Sequence, residues 1–335
     1  MNPPIVRAAM LSFAHVHAEG YARQANGLDG IQLAAVWDEE EYGGVQGAER
    51  HNLDFHSDLD ALLARDDIDA VIVNAVTSAH PDVMVKAAQA GKHIFTEKAL
   101  AVDIDGCDAI IDAVEKAGVK FMISLPSRCQ PDLLLAKKAA EDGLLGDLTF
   151  GRGRVAHSAS LDRWFGGPSA WFADKERAGG GALFDLGCHR MDVIPWLMGE
   201  PKTVAAIINN VSDSYEIDDN SATLIEFENG GIGVVDVSWV HRSGPNLLEL
   251  YGTEGSLVMG AGPTRLETRR LDDAARDAYL ESVPDPLPAP MAQWVNAIRI
   301  DAPMTINIQD GRLLTELMQA AYLSAESGKA VPLPL

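Results

Sequence analysis

Ala87-Ala88-Gln89-Ala90-Gly91-Lys92-His93-Ile94-Phe95-Thr96-Glu97-Lys98 closes a helix, turns at a glycine, runs four residues of strand and ends on a glutamate and a lysine. A helix over 79–90 stopped by Gly91, with a strand at 93–96 behind it, has the order of an α/β unit, and the glycine sits where helices close in a left-handed residue. The rhythm continues on both sides. Strands are expected at 5–11, 31–37, 70–75 and 119–124, and a helix over 103–117 ends at Gly118. Short β-branched runs alternating with helices predict a parallel sheet wound on both faces, which binds ligands at the carboxyl ends of its strands. Lys98 stands at such an end.

The alternation breaks at Leu125-Pro126-Ser127. One more helix, 131–141, precedes Gly143, and strands are then expected at 148–158, 204–211, 222–228, 231–239, 246–251 and 256–259. Asn229-Gly230-Gly231 and Thr253-Glu254-Gly255 are tight-turn signals, and strands joined by tight turns pair antiparallel. Pro284, Pro286, Pro288 and Pro290 mark a loop before a final helix over 308–327. The expected architecture is α/β: a doubly wound parallel domain of the Rossmann type at 1–124, and an α+β domain at 125–335 with an open, mainly antiparallel sheet.

The 335 residues suffice for two such cores, and a formal charge of −22 sets the chain against a phosphate backbone. Nucleic acid is excluded as a partner. No apolar run is long enough to span a bilayer, so no membrane association is expected. Cys107, Cys129 and Cys188 are odd in number, scattered and without a CxxC pair, as reduced thiols are. Met1-Asn2-Pro3-Pro4 lacks the basic region and apolar core of a secretory signal. The expected compartment is the cytoplasm.

Three stretches carry chemistry. Gly179-Gly180-Gly181 leads into a helix over about 182–198, stopped by Gly199 and Pro201, that places Asp185 and His189 one turn apart on one face. Three glycines cost conformational entropy, and their reading here is room for a ligand to approach the backbone. Zinc on Asp185, Cys188 and His189 is a poor alternative, because adjacent helical residues diverge and no second ligand pair follows; no metal is expected. The second stretch, Ser12-Phe13-Ala14-His15-Val16-His17, lies where dinucleotide folds place a glycine-rich turn. Ser12 and Ala14 are small, yet none of the three fingerprint positions is glycine, so by itself the loop reads equally as a pyrophosphate cradle or an ordinary turn. Asp38 ends the second strand, where an acid accepts hydrogen bonds from the adenosine ribose; Glu39, Glu40 and Glu41 follow without an arginine, which favours NAD over NADP. A charged turn is the plainer alternative. The third is Glu97-Lys98: a partly desolvated lysine has its neutral form favoured and can take a hydroxyl proton, whereas an exposed one would simply pair with Glu97.

Taken together these stretches resemble the family named for glucose-fructose oxidoreductase, inositol dehydrogenase and the rhizopine catabolism protein MocA, and the resemblance runs nearly end to end. Residues 87–98 are similar to its helix, glycine cap, strand and Glu-Lys-Pro motif, and 179–189 to its glycine run with Asp-x-x-x-His. Arg128 and Pro131 match an Arg-x-x-Pro element, and Leu250-Tyr251-Gly252-Thr253-Glu254-Gly255-Ser256 a late hairpin. The resemblance implies NAD(P)-dependent oxidation or reduction and an open sheet that mediates assembly as a homodimer or homotetramer. It implies that Lys98 orients the reacting hydroxyl and helps remove its proton, that Asp185 holds substrate and tunes His189, and that His189 accepts or donates the proton. Ser12, Phe13, Ala14, Asp38, Ala75, Thr77, His80 and Glu97 fall where the family contacts cofactor, and His15 joins them from its place in the turn. Two departures stand out: the glycine-free turn, and Ala99 in place of a proline that commonly follows a cis bond. A cis bond before alanine is not expected.

Arg154, His157, Asp162, Arg163, Trp164 and Trp171 precede the glycine run, and aromatic and charged groups there suit a sugar ring; Arg128, Arg163, Trp164 and Trp171 are the expected substrate contacts. The activity expected is hydride transfer between NAD and a hydroxyl or carbonyl of a sugar, sugar acid or cyclitol. Two rivals share the scaffold: a glycosidase that oxidises its sugar transiently and releases no NADH, and an NAD-binding sensor without turnover.

Overall fold

The computed structural model describes residues 4–335; Met1-Asn2-Pro3, read above for a leader, lies outside the described residues. The chain begins β1 (Val6–Leu11), α1 (Ala18–Gly27), β2 (Ile31–Trp37), α2 (Glu41–His51), β3 (Asp54–His56), α3 (Leu59–Leu63), β4 (Ala70–Val73), α4 (His80–Gln89), β5 (His93–Thr96), α5 (Ile104–Ala117) and β6 (Phe121–Ile123). It continues α6 (Pro131–Glu141), β7 (Leu148–Ala156), α7 (Lys175–Ala178), α8 (Cys188–Met198), β8 (Pro201–Asn209), β9 (Asn220–Phe227) and β10 (Ile232–Ser238). It closes with β11 (Leu248–Gly252), β12 (Gly255–Met259), β13 (Arg265–Thr268), α9 (Asp273–Glu281), α10 (Pro290–Ile300), α11 (Ile308–Ser327) and β14 (Val331–Pro332). Two compact units result: one of residues up to 124 with 165–179 and 288–315, the other of 125–164, 180–287 and 316–335. The chain leaves the first unit after Ser124 and returns to it twice.

The first unit is built on a parallel sheet of order β3-β2-β1-β4-β5-β6, the doubly wound arrangement in which strand order reverses between β1 and β4. Its middle strands are buried along almost their whole length, and β4 shows no exposed residue, which is why they read as continuous apolar runs rather than alternations. Local signals end the helices. Asp103 caps α5 by accepting from the Gly106 amide at 2.8 Å, and Gly118 closes it at a φ of 66°.

The second unit carries a sheet of order β13-β12-β11-β7-β10-β9-β8-β14, mainly antiparallel, with β7 and β10 as its parallel pair. Along β9 buried and unburied residues alternate, so one face is core and the other is open. Helix α8 lies directly on the core face. A Cβ on Gly151, Gly153 or Gly233 would come within 2.9–3.0 Å of Met198, Arg190 or Ile194, so these strands are stripped of side chains where the helix rests. The open face shows Ile207, Leu224 and Ile232 at 70%, 52% and 47% exposure. Arg154 belongs to that open face, paired with Asp236 at 3.1 Å, and not to the face beneath α8.

Candidate active site

The turn after β1 has the shape a glycine would supply, made without one. Ser12 is buried and holds a φ of 75°, in the left-handed region. Its hydroxyl accepts from the Ala14 amide at 3.0 Å and donates to Asp38 Oδ1 at 3.3 Å, while the Phe13 amide donates to Asp38 Oδ2 at 2.7 Å. Asp38 also takes the Glu40 amide at 2.9 Å. Burial outweighs these donors and pushes the Asp38 carboxyl up to about 6. Asp38, the expected ribose contact, also organises the turn through its oxygens. Its neighbour Glu39 has spare capacity: Oε1 accepts the Val76 amide at 3.1 Å, and Oε2 is buried without a hydrogen-bond partner in the protein. Trp171, expected at substrate, is buried and donates its indole N–H to the Ala14 carbonyl at 3.0 Å, bracing the same turn.

Glu97 and Lys98 follow β5, both buried. Glu97 Oε2 accepts the Lys98 amide at 2.6 Å. Its Oε1 accepts the Tyr21 hydroxyl at 2.7 Å and lies 2.7 Å from His17 Nδ1. Ser124 Oγ, also 2.7 Å from Tyr21, supplies the tyrosine oxygen with a donor. Burial alone would raise the Glu97 carboxyl; the nearby His15 and His17 imidazoles and the Lys98 ammonium overcome it and hold the group well below the ordinary carboxylate range. The Lys98–Ala99 peptide is cis, against the expectation for a bond before alanine. The residues behind it are fixed by His80, whose Nδ1 faces the Ala99 and Leu100 carbonyls at 3.0 and 3.1 Å and whose Nε2 faces the Ala75 carbonyl at 3.2 Å. Burial lowers the His80 imidazole, opposed by the carbonyls that face both of its ring nitrogens. His80, expected among the cofactor contacts, therefore shapes the loop behind Lys98. Ala75 and Thr77 stand just past the carboxyl end of β4.

In the second unit the glycine run has a cause other than a ligand. A Cβ on Gly180 would lie 2.1 Å from the Tyr322 hydroxyl, and one on Gly181 would lie 2.0 Å from the Asp218 carbonyl oxygen. Asp218 fills the space the glycines leave: its carboxylate accepts the Gly181 and Leu183 amides at 2.7 and 3.2 Å and the Tyr322 hydroxyl at 2.8 Å. Burial nonetheless pushes the Asp218 carboxyl up. The expectation of a bare backbone kept for substrate is corrected accordingly. Nor is 182–198 one uniform helix: Leu183–Gly187 is a π-helical turn that passes into α8. Such turns are frequent at functional sites. Asp185 lies in the π turn and His189 in the first turn of α8, both half-buried. His157 is close enough to Asp185 to feel its charge, which opposes the lowering that burial imposes on the imidazole.

The remaining expected substrate contacts divide. Arg128 is buried against Asp192 of α8, with Nε at 3.0 Å from Oδ1, and so supports the helix. Arg163 is exposed at a φ of 50°, and Trp164 is exposed with its ring 4.6 Å from that of His157. Asp218, Tyr322 and Tyr21 were not singled out from sequence; a lone acid or tyrosine far along the chain carries no local signal of the backbone it will hold.

Comparison with known proteins agrees with this geometry. The family described as "Oxidoreductase family, NAD-binding Rossmann fold" matches residues 11–125, and "GFO/IDH/MocA C-terminal domain" matches residues 133–258. The chain is 27% identical to a D-apiose dehydrogenase of Paraburkholderia graminis, over 98% of this chain and 88% of that protein. It is 30% identical to scyllo-inositol 2-dehydrogenase (NAD(+)) of Bacillus subtilis, over 76% and 74%. The fold is shared with the WlbA dehydrogenase of Bordetella pertussis, solved with NADH and UDP-GlcNAcA, at a TM-score of 0.88 and 20% identity, over 100% of this chain and 99% of that one.

Proposed function

The chain belongs to the Gfo/Idh/MocA family of oxidoreductases, and from that premise we propose that it transfers hydride between NAD and a hydroxyl or carbonyl of a sugar, sugar acid or cyclitol. The observation that carries this reading is Lys98. It is buried at the carboxyl end of β5 in a doubly wound sheet, with Glu97 on its own amide and His80 on the two residues behind it.

The residues present fit a dinucleotide. The left-handed Ser12 turn leads into α1, and the orphaned oxygen of Glu39, next in sequence to Asp38, is one that a ribose hydroxyl would satisfy. Ser12, Phe13, Ala14 and His15 would hold the pyrophosphate end, Glu39 with Asp38 the adenosine ribose, and Ala75, Thr77 and Glu97 the remainder. Two carboxylates there repel a 2′-phosphate, so NAD is preferred over NADP. Bound NAD supplies the hydride acceptor. The protein's own groups manage the proton: Lys98 takes it from the hydroxyl, and His189, tuned by Asp185, accepts or returns it. Arg163 and Trp164 are the exposed groups suited to a sugar; Arg128 and Trp171 act indirectly, through Asp192 and Ala14.

Two coarser expectations extend the reading. The exposed Ile207, Leu224 and Ile232 on the open face of the second sheet support a homodimer or homotetramer, which Leu224→Glu should dissociate in light scattering. No helix is long and apolar enough to cross a membrane, the cysteines form no disulfide among the described residues, and we place the protein in the cytoplasm.

The test is NADH formation across a panel of pentoses, hexoses, sugar acids and cyclitols, with NADP in parallel. Net NADH from at least one polyol is expected. Glycoside cleavage without NADH would replace this reading with transient oxidation, and tight NAD binding with no turnover would replace it with a sensor.

A further inference from the structure

We propose that His15, His17 and Glu97 form a binding site for a divalent transition-metal ion of the zinc class. One ligand atom from each of the three lies within 4.8 Å of the others. His17 Nδ1 is already 2.7 Å from Glu97 Oε1. For metal–ligand distances near 2.1 Å the widest pair must close by about 1 to 1.5 Å. The half-exposed His17 side chain can shift, as it must to widen its 2.7 Å contact with Glu97 to the spacing of two ligands on one ion.

The surroundings are those of a coordination site. Glu97 is oriented from behind by the Tyr21 hydroxyl and the Lys98 amide, which hold the carboxylate as metal sites hold their ligands through outer hydrogen bonds. His15 is buried, with its ring 5.1 Å from that of Phe172 and 5.9 Å from that of Trp171, which limits its rotation. It accepts the His17 amide at Nδ1 through a long bond of 3.2 Å, one that coordination would displace at small cost. The exposed His17 provides an entry path from solvent. Two imidazoles and one carboxylate favour zinc, cobalt or nickel over magnesium or calcium, which prefer oxygen throughout. Three protein ligands leave at least one position open. The Lys98 charge acts on the same carboxylate and opposes a second cation, so the site is weaker than a closed structural zinc site.

This site shares His15 and Glu97 with the proposed dinucleotide contacts, so its test uses the cofactor-free chain and reads ion binding, not turnover. The chelator-treated full chain is titrated with Zn²⁺ by calorimetry and with Co²⁺ by visible absorption. One ion per chain is expected, with ligand-field bands for Co²⁺. His17→Ala, chosen because its half-exposed side chain leaves the fold intact, should weaken binding at least tenfold, as should His15→Ala and Glu97→Gln. His51→Ala, an imidazole outside the cluster and paired with Glu19, should change nothing. Absence of stoichiometric binding, or binding unmoved by both His15→Ala and His17→Ala, overturns the proposal.

Discussion

The turn at 12–17 and the run at 179–181 reverse what glycine content ordinarily announces. The first has no glycine and still adopts the left-handed shape, because Ser12 exchanges hydrogen bonds with Asp38 and the Ala14 amide that offset its strained φ. The second has three glycines, two of which make room for Tyr322 and Asp218. A glycine reports a local steric demand. Whether a ligand or the protein itself makes that demand has to be decided from what fills the space.

The comparison breaks first, and hardest, at Gly181. Gly181→Ala drives a methyl to within 2.0 Å of the Asp218 carbonyl oxygen, which is backbone and cannot swing aside. We expect a loss of about 3 kcal/mol in chemical denaturation. A near-neutral result would return the glycine run to the role of a ligand cradle.

Ser12 sharpens the other side. Ser12→Ala keeps the strained φ and loses both hydroxyl hydrogen bonds, so a destabilisation of ~2 kcal/mol is expected. Ser12→Gly loses the same bonds but relieves the backbone, and should fall within ~1 kcal/mol of wild type. Equal costs for the two would show that the left-handed residue is not what the turn requires.

A further effect is electrostatic. Burial raises Asp38 from an ordinary 3.8 to about 6 in the folded protein. A raised carboxyl favours the folded state in its protonated form, so this contribution is full below 3.8 and is lost as pH rises through 6. Relative to Asp38→Asn, wild type should therefore gain stability as pH is lowered through that window, measured by urea midpoints of both proteins. A difference that is flat with pH would mean that the turn's donors balance burial, and one that falls on acidification would mean that they outweigh it.

What was legible in the sequence follows the range of the interactions. Helices α5 and α11 were readable because their caps and apolar spacing are local, and so was the strand-to-lysine step at Thr96-Glu97-Lys98. Helix α10 was hidden: Pro290 closed what looked like a proline loop and in fact occupies the first position of a helix, where its missing N–H costs nothing. Strand β3, three residues long, lacks enough alternation to register. Lys98, Asp185 and His189, the residues proposed for proton transfer, are conspicuous in the sequence by type and place. The partners that hold the surrounding backbone were not, since Asp218 reaches Gly181 across 37 positions and Tyr21 reaches Glu97 across 76. The return of 165–179 to the first unit, which brings Trp171 onto Ala14, likewise has no local signature.

The central claim is that Lys98 and His189 move the proton while NAD takes the hydride. Single-turnover NADH formation by Lys98→Met and by His189→Ala, each with its NADH affinity measured by fluorescence, tests it most directly. The account predicts a fall of at least ~100-fold in each variant with NADH binding retained. NADH formed at the wild-type rate by both variants would contradict it.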